Sequence, residues 1–500
     1  MQLGYNEIMI VSKYFEDIND FINLEIGIKR FRGNMERFHF NPIPLNEYSR
    51  KLFPNIETFH IYNGYDKIFE DGKIFKYVIW YDVSYSRYLE EKKEKNEYKN
   101  IEYTIYDREE YGNTIPIEVN SLGINCFYRC NDIQSINIPT SVSKIGNECF
   151  YQCTSLTSIN IPTSISEIGD KCFCGCYSLR TIDIPISISK IGYCCFSGCS
   201  SLQTINIPTN VSKIEYWCFK YCTSLKSINI PTSISEIGNG CFEECSSLTS
   251  INIEDVKYIS EERIFMNEPV LISIEIPKNL KMINGKHIEK KDINEFIIPS
   301  SITEIGDYCF KECLSLKSID IPISISKIGY WCFCECSSLT SINIPTNVSK
   351  IGDYCFYGCY SLRTIDIPTN VSKIGYCCFS RCSSLKSIDI PTSVTEIGYW
   401  CFCECSSLRT INIPTSVSEI GNYCFYGCSS LTSINIPTNV SKIGGGCFYK
   451  CTSLISINIP SSITSFRNGC FYGCGCEEEL KKNKSIPEYC FEEYFYEEIR

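Results

Sequence analysis

The sequence predicts an α/β fold rich in β-structure: a solenoid with one continuous parallel sheet of about 16 coils and a small helical N-terminal cap. Prolines recur every 23 residues, at 116, 139, 162, 185, 208 and 231. They resume at 277, the interval shortens once to 22 residues before 299, and the 23-residue interval then continues to 460. A fixed period of this length is typical of a repeat array. Each period also ends in alternating apolar residues, the pattern of a short strand.

The unit PTSVSEIGNYCFYGCSSLTSINI, residues 414–436, shows the repeat, and positions are counted from its proline as zero. Apolar residues occupy positions +3, +6, +10, +11, +14, +17, +20 and +22. The segment LTSINI predicts a short strand, whereas CFYGC is too short for a full helix and predicts a helical or 3-10 turn. One unit buries too little apolar surface to fold alone, so neighbouring coils must stack.

Two units, 254–276 and 277–298, are degenerate and lack the cysteines of the other coils. Their apolar register is kept by Phe265, Leu271, Ile274 and Ile276. The solenoid is therefore expected to continue through them, with a slight bend or hinge, and to span residues 116–474.

The pattern LxxIxIPxxVxxIGxxCFxxCxSL resembles the BspA-like leucine-rich repeat of the 23-residue class over residues 116–474. The resemblance implies a curved right-handed solenoid that binds other macromolecules, often at cell surfaces. The family usually places alanine before the phenylalanine, where this sequence has cysteine. The resemblance therefore implies no special role for the cysteines.

Cysteine is the compositional outlier, with 35 residues and none before Cys126. Fourteen units carry CFxxC, which places cysteines at +10 and +14, and small apolar thiols in such columns favour a buried packing ladder. Disulfides between adjacent coils are the alternative, and a metal site is a weaker one because no histidine accompanies the columns. Cys334 and Cys403 lie at +12, where other coils carry Tyr, Ser, Lys or Glu, so both are predicted to be exposed thiols.

Charge and composition restrict the function. The chain is 44% hydrophobic and 21% charged, a globular balance, and its net charge of −11 without a Lys/Arg run argues against nucleic acid and anionic membranes as partners. No signal peptide and no apolar stretch of about 18 residues is visible, so no membrane insertion is expected. The predicted compartment is the reducing cytoplasm; the alternative is a cell surface reached without a classical signal peptide.

No catalytic constellation stands out, and the prediction is a non-enzymatic chain without a cofactor or metal site. Only His39, His60 and His287 are available for general-base or metal chemistry. The cysteines have no nearby histidine in the sequence, and each has copies in other coils, so they are poor candidates for a nucleophile.

Candidate partner-binding residues lie on two surfaces. On the strand, positions +18 and +21 carry charges among polar neighbours, and the candidates are Arg180, Asp183, Asp320, Arg363, Asp366, Asp389 and Arg409. At +9 an aromatic stripe includes Trp217, Trp331 and Trp400. Exposed aromatic stripes are frequent at interfaces. A solvated polar face and packing at the coil rim are the alternative interpretations.

The remaining regions lack the period. Helices are predicted in residues 1–45, with Asp20 as a possible cap of a second helix. Residues 46–115 are predicted to form a capping region, with strands at 53–62 and 77–85 and a charged loop at 90–100. Residues 475–500 are predicted to form a C-terminal cap or a docking tail. The helical region weakly resembles an F-box through Ile8, Val11, Phe15, Phe21, Leu24 and Phe31. That resemblance implies a substrate receptor that binds a ubiquitin-ligase adaptor of the cullin–RING type.

The function predicted from the sequence is a scaffold that binds a protein partner, of unknown identity, through the solenoid surface. The alternatives are the cullin–RING substrate receptor and a cell-surface adhesin.

Overall fold

The structure is a computed structural model that describes residues 11–12, 14–92, 96–267 and 270–493. It is a β-solenoid with few and short helices, which confirms the predicted fold class. The chain forms two compact units, residues 1–188 and 189–500.

The N-terminal unit begins with short helices whose apolar faces share one cluster. The elements are the α-helices Ile18–Gly27 and Glu47–Leu52 and the 3-10 helices Lys29–Phe31 and Met35–Arg37. Phe21 is fully buried and packs edge-to-face against Phe15, Phe38 and Phe53. The first helix begins after Asp17, whose carboxylate accepts the N–H of Asn19 at 2.7 Å.

Asp20 was a possible cap of a second helix in this region, but it does not occupy a cap position. Asp20 is the third helical residue, and its carboxylate accepts the backbone N–H of Asp17, which completes a capping box. The expected apolar position Ile8 lies outside the described residues.

Three longer strands precede the regular coils in this unit. Thr58–Ile61, Lys76–Ser84 and Asn96–Tyr103 pair in parallel, and the third pairs with the first regular coil at Ser121–Leu122. Short helices at Tyr85–Glu91 and Ile105–Tyr111 connect them. The charged loop predicted at 90–100 is therefore wrong from Asn96 onward. The charged side chains do not prevent the strand, because Glu97 forms ion pairs with Lys76 and Lys99.

Most regular coils contribute two short parallel strands rather than one; in three coils the strand at +19 to +21 is reduced to an isolated bridge, at Asp183, Asn206 and Asp320. The predicted strand lies at +19 to +21, and a second lies at +5 and +6; we name the two stacks the +20 ladder and the +6 ladder. In the first unit the +20 ladder contains Ser135–Asn137 and Ser158–Asn160, and the +6 ladder contains Ser121–Leu122, Lys144–Ile145 and Glu167–Ile168.

In the second unit the +6 ladder is the more continuous, and the predicted sheet at +20 is broken into shorter pieces. The +6 strands are Lys190–Ile191, Lys213–Ile214, Glu236–Ile237, Glu304–Ile305, Lys327–Ile328, Lys350–Ile351, Lys373–Ile374, Glu396–Ile397, Glu419–Ile420, Lys442–Ile443 and Ser465–Phe466. The +20 strands are Ser227–Ile230, Ser250–Ile253, Ser341–Ile342, Thr364–Ile365, Ser387–Asp389, Thr410–Asn412, Ser433–Asn435 and Ser456–Ile457.

The CFxxC segment is a pair of tight turns rather than a helix. The residues at +9 and +13 adopt left-handed backbone angles, as at Tyr354 (φ 55°) and Gly358 (φ 69°), and a helix cannot continue through them. Their N–H groups donate to the next coil: Tyr354 to the Tyr376 carbonyl at 2.7 Å and Gly358 to the Ser380 carbonyl at 2.9 Å. Hydrogen bonding between coils thus fixes the turn.

Phenylalanine at +11 forms the centre of the core. Within the second unit, Phe310, Phe333, Phe356 and Phe379 are fully buried. Their rings stack nearly parallel from coil to coil, with centroids 5.0–5.5 Å apart. The glycine at +7 allows this close stacking, since a Cβ on Gly352 would lie 2.5 Å from the Gly329 carbonyl of the preceding coil.

The degenerate units do not form coils. Val256–Ile259, Arg263–Met266 and Val270–Glu275 make an antiparallel meander, followed by the pair Met282–Ile283 and Lys286–His287 and a 3-10 turn at Ile293–Glu295. The solenoid was expected to continue through these units with a slight bend or hinge. Parallel pairing does continue, because Ser250–Ile253 pairs with Met282–Ile283 and Val270–Glu275 pairs with Glu304–Ile305, but the strands between them are antiparallel. Phe265, Leu271 and Ile274 are buried as predicted, whereas Ile276 is partly exposed.

The C-terminal segment packs onto the last coil. A helix at Glu477–Leu480 and a 3-10 helix at Glu488–Phe491 follow the repeats. Leu480, Ile486 and Cys490 join the core cluster of the second unit, and the N–H of Phe471 donates to the Cys490 carbonyl at 2.9 Å.

Candidate functional site

The cysteine columns are structural. Position +14 is buried, and its thiol lies within hydrogen-bonding distance of the phenylalanine carbonyl of the preceding coil. Cys359 donates to Phe333 at 3.1 Å, Cys382 to Phe356 at 3.2 Å, and Cys405 to Phe379 at 3.1 Å. The thiol is thus both an apolar filler and a weak donor to a buried carbonyl.

Burial keeps these thiols protonated. It raises the pKa of Cys245 and of Cys451 to about 12, from an ordinary value of 9.0. No disulfide joins any of the 35 cysteines, and the described residues contain no cluster of three or more His, Cys, Asp or Glu able to hold a metal ion. A protonated, buried thiol is a poor nucleophile and a poor metal ligand.

Cys334 and Cys403 were predicted to be exposed, and both are buried, at 0% and 5% exposure. Aromatic rings cover position +12 in these two coils. Trp331 stacks on Tyr354 at 4.0 Å and lies 6.2 Å from Tyr357. The second coil repeats this triad with Trp400, Tyr423 and Tyr426 at 4.0 and 6.1 Å. The partly exposed cysteines are Cys174 and Cys194.

The aromatic stripe at +9 is only partly a surface feature. Trp217 is 36% exposed, whereas Trp331 and Trp400 are half-buried by stacking. Packing between coils therefore accounts for much of the ring area of these two residues. The outer parts of Trp331 and Trp400 stay accessible.

The charged candidates on the strand face are all exposed: Arg180, Asp183, Asp320, Arg363, Asp366, Asp389 and Arg409. Arg180 and Asp183 belong to the first unit, and the other five belong to the second. Structure alone does not assign a partner to them, so their binding role stays a prediction.

Three neighbouring coils of the second unit bring charges of like sign together. The N–H of Lys386 donates to the Arg363 carbonyl at 3.3 Å, and that of Arg409 donates to the Lys386 carbonyl at 3.1 Å, so the three cations follow one another. Asp366 and Asp389 are direct bridge partners. We name Arg363, Lys386 and Arg409 the basic row and Asp366 and Asp389 the acidic row. Within the described ranges, none of these five side chains forms an ion pair.

On the +6 ladder, opposite charges from neighbouring coils form ion pairs. Lys373 pairs with Glu396 at 2.7 Å, Lys213 with Glu236 at 2.7 Å, and Lys442 with Glu419 at 2.5 Å, each across one coil boundary. Sequence reasoning did not single out these pairs, although the alternation of Lys and Glu at +5 is visible in the repeats. Charges on this ladder are largely neutralised by neighbours.

The comparisons with known proteins agree on one family. The model of the BspA type leucine-rich repeat region (6 copies) matches residues 99–222, 166–287, 194–316, 260–386 and 377–497. No curated protein gives a significant match. No helix in the described part of the chain is long and apolar enough to span a membrane.

Solved structures of bacterial proteins are also similar. A leucine-rich repeat protein of Bacteroides ovatus is 31% identical, with 70% of this chain and 87% of that chain covered and a TM-score of 0.35. A leucine-rich cell surface protein of Faecalibacterium prausnitzii is 27% identical, with 63% and 82% covered and a TM-score of 0.34. A leucine-rich repeat protein of Eubacterium ventriosum is 24% identical, with 69% of this chain and 84% of that chain covered and a TM-score of 0.41.

Proposed function

Since the chain belongs to the BspA-type leucine-rich repeat family, we propose that it is a non-enzymatic scaffold that binds a protein partner through the strand face of its second unit. The observation that carries the proposal is a basic row on three neighbouring coils beside an acidic row on two of them. Members of this repeat class are generally binding scaffolds.

The two rows favour a partner of complementary charge. Like charges on adjacent strands lie about 4.8 Å apart and repel each other. A partner that presents carboxylates to Arg363, Lys386 and Arg409, and cations to Asp366 and Asp389, would relieve both repulsions. Such complementarity acts mainly on partner choice and association rate.

We also propose that the protein works in the cytoplasm and has no catalytic role. None of the 35 cysteines is in a disulfide, which suits a reducing compartment. Burial raises the pKa of Cys403 to about 12, which makes this thiol a poor nucleophile.

The alternative functions receive less support. Of the apolar positions that resemble an F-box, Phe21 and Phe31 are buried, and Phe21 packs inside the N-terminal cluster, which leaves them little surface for an adaptor. No contact in the described residues favours an adhesin over a cytoplasmic scaffold.

Charge reversal tests the proposal. Proximity labelling in the native cell is compared for the wild type and for the triple variant Arg363→Glu, Lys386→Glu, Arg409→Glu. We expect the triple variant to lose the major labelled neighbours of the wild type, because its basic row becomes acidic. The control is Lys350→Glu, a single reversal on the exposed side of the +6 ladder. An unchanged set of neighbours in the folded triple variant would rule out the strand face as the binding surface.

A further inference from the structure

The last regular coil differs from the coils before it immediately after its +14 cysteine. The two preceding coils continue as CSSL at 428–431 and CTSL at 451–454, whereas this coil continues as CGCEEEL from Cys474. A second cysteine, Cys476, therefore stands at +16. Both cysteines belong to the core cluster of the second unit, and Cys476 directly precedes the helix Glu477–Leu480.

The two thiols of this coil face each other. The Sγ atom of Cys474 lies 3.9 Å from the Sγ atom of Cys476, within the reach of an S–H···S hydrogen bond. One coil earlier, the +14 thiol of Cys451 donates instead to the Phe425 carbonyl at 3.1 Å. The last +14 cysteine thus has a second thiol as its neighbour, and the two sulfurs are close enough to react with each other.

The backbone between the two cysteines is held by the preceding coil. The N–H of Gly475 donates to the Cys451 carbonyl at 3.0 Å. Only glycine fits at this position, because a Cβ on Gly475 would lie 2.5 Å from the carbonyl oxygen of Thr452. The close approach of the two coils therefore fixes the residue that joins Cys474 to Cys476.

The same spacing in another coil gives a different arrangement. Cys403 and Cys405 are also separated by one residue. The thiol of Cys405 donates to the Phe379 carbonyl at 3.1 Å, and that of Cys403 hydrogen-bonds with the Ser380 side chain. The spacing alone does not direct two thiols at each other, so the contact at 474–476 is a property of the last coil.

The hydrogen bond between the thiols makes the two sulfurs unequal. It lowers the pKa of Cys476 and raises the pKa of Cys474 above its ordinary value. The nearby carboxylates of Glu477 and Glu478 pair with Lys481 at 2.8 and 2.7 Å, which reduces the negative charge beside the pair. Cys476 is therefore the better nucleophile of the two.

The pair also lies nearer to solvent than the cysteines of the preceding coils. Cys474 and Cys476 are 5% and 6% exposed, whereas Cys428 and Cys451 are fully buried. A small oxidant such as hydrogen peroxide needs far less room than a maleimide. The pair is therefore open to oxidation although it is nearly closed to bulky thiol reagents.

We propose that Cys474 and Cys476 form a site of reversible oxidation, which hydrogen peroxide converts into a disulfide. The site lies outside the strand face and does not depend on the proposed binding function. The two sulfurs must approach by about 2 Å to bond, since a disulfide is itself about 2 Å long.

The oxidation takes place in two steps. The thiolate sulfur of Cys476 attacks one peroxide oxygen, the O–O bond breaks, and the departing oxygen takes up a proton and leaves as water, so that Cys476 becomes a sulfenic acid. The sulfur of Cys474 then attacks the sulfur of Cys476, the S–O bond breaks, and the hydroxyl leaves as water with the proton of Cys474. The two thiols lose two electrons, and the peroxide is reduced to two waters.

Peroxide treatment of the full chain, followed by mass spectrometry, tests the proposal. The reduced protein is treated with hydrogen peroxide, and the remaining thiols are alkylated with iodoacetamide under denaturing conditions before digestion with trypsin. We expect the peptide 468–481 to lose two hydrogens and to carry one alkyl group, on Cys470, and dithiothreitol should restore its three alkylation sites. The peptide 387–409, which contains Cys403 and Cys405, is the internal control and should stay fully alkylated.

Two results of this experiment would overturn the site, and neither requires a variant to fold. The first is a peptide 468–481 that stays fully alkylated at peroxide concentrations that oxidise Cys174 or Cys194, the partly exposed cysteines. The second is equal oxidation of the peptide 387–409, which would show that the contact between the thiols confers no preference.

Serine variants assign the roles of the two sulfurs. In Cys474→Ser the sulfenic acid on Cys476 has no thiol to react with, and dimedone should trap it. Cys476→Ser should give neither the disulfide nor a dimedone adduct. The control is Cys403→Ser, at a position where Ser197 and Ser380 stand in other coils, and it should form the 474–476 disulfide like the wild type. A dimedone adduct on Cys474 in Cys476→Ser would contradict the assignment of Cys476 as the attacking thiol.

Discussion

At the residue scale, the cysteines have different surroundings although they look alike in the sequence. Those at +14 donate to phenylalanine carbonyls, as Cys382 does to Phe356 at 3.2 Å. Cys334 and Cys403 lie beside ring triads, and Cys377 lies against the side chains of Tyr354 and Tyr376. What distinguishes them is the side chains of the neighbouring coils, not the cysteine itself.

Thiol labelling of the native protein tests this assignment. Cys174 and Cys194 should react with maleimide first, because they alone are partly exposed. Cys334 and Cys403 should react no faster than the ladder thiols, since burial raises their pKa to about 12 and keeps them protonated at pH 8. Mass spectrometry of the labelled peptides reads out the order. Labelling of Cys334 as fast as Cys174 would show that the ring triads do not cover it.

At the element scale, the glycine at +7 sets the distance between coils. Gly352→Ala should lower the free energy of unfolding by about 1–3 kcal/mol, because the new Cβ would overlap the Gly329 backbone and force the coils apart. Denaturant unfolding measures the change. The control is Gly27→Ala at the end of the first helix, where nothing lies within 4 Å of the added Cβ, and it should be close to neutral. Equal effects of the two substitutions would refute the close-contact explanation.

The meander at 256–275 is held by a buried arginine. Arg263 is 2% exposed; its Nε donates to Ser273 Oγ at 2.6 Å and its Nη1 to the Lys311 carbonyl at 3.2 Å. Arg263→Met should remove hydrogen-exchange protection from 263–267 and 270–275, since the acceptors lose a charged donor. Amides at 379–405 serve as the internal control. Protection that falls equally in both segments would mean general destabilisation rather than a lost anchor.

The sequence predicts the period, the core columns and the strand at +20. These features recur at the same position in many coils, so the pattern stays visible even where one coil departs from it. It does not predict the second strand at +6, whose two residues alternate for too short a stretch to show a pattern. Nor does it predict left-handed angles at Trp331 and Trp400, since tryptophan rarely adopts them and the hydrogen bonds that their N–H groups donate to the next coil impose them. The exposure of Cys334 was mispredicted because the rings that bury it belong partly to another coil.

At the scale of the whole molecule, the many buried thiols make stability depend on pH. Burial raises the pKa of Cys153, Cys241, Cys245, Cys313 and Cys451 to about 12, from 9.0. A group whose folded pKa is raised contributes stability that is fully present below its unfolded pKa and is lost as pH rises toward the folded value. The chain should therefore be equally stable at pH 7 and 8 and lose stability progressively above about pH 9.

Denaturant unfolding between pH 7 and pH 10, in reducing buffer, measures this alkaline loss. A variant with alanine at +10 in three neighbouring coils, Cys332→Ala, Cys355→Ala and Cys378→Ala, should lose less stability over that range, because three buried thiols no longer ionise on unfolding. Its stability at pH 7 gives the packing cost separately, since no thiol ionises appreciably there. Identical losses in the wild type and the variant would place the alkaline effect elsewhere, whereas a smaller loss in the variant would attribute it to the ladder thiols.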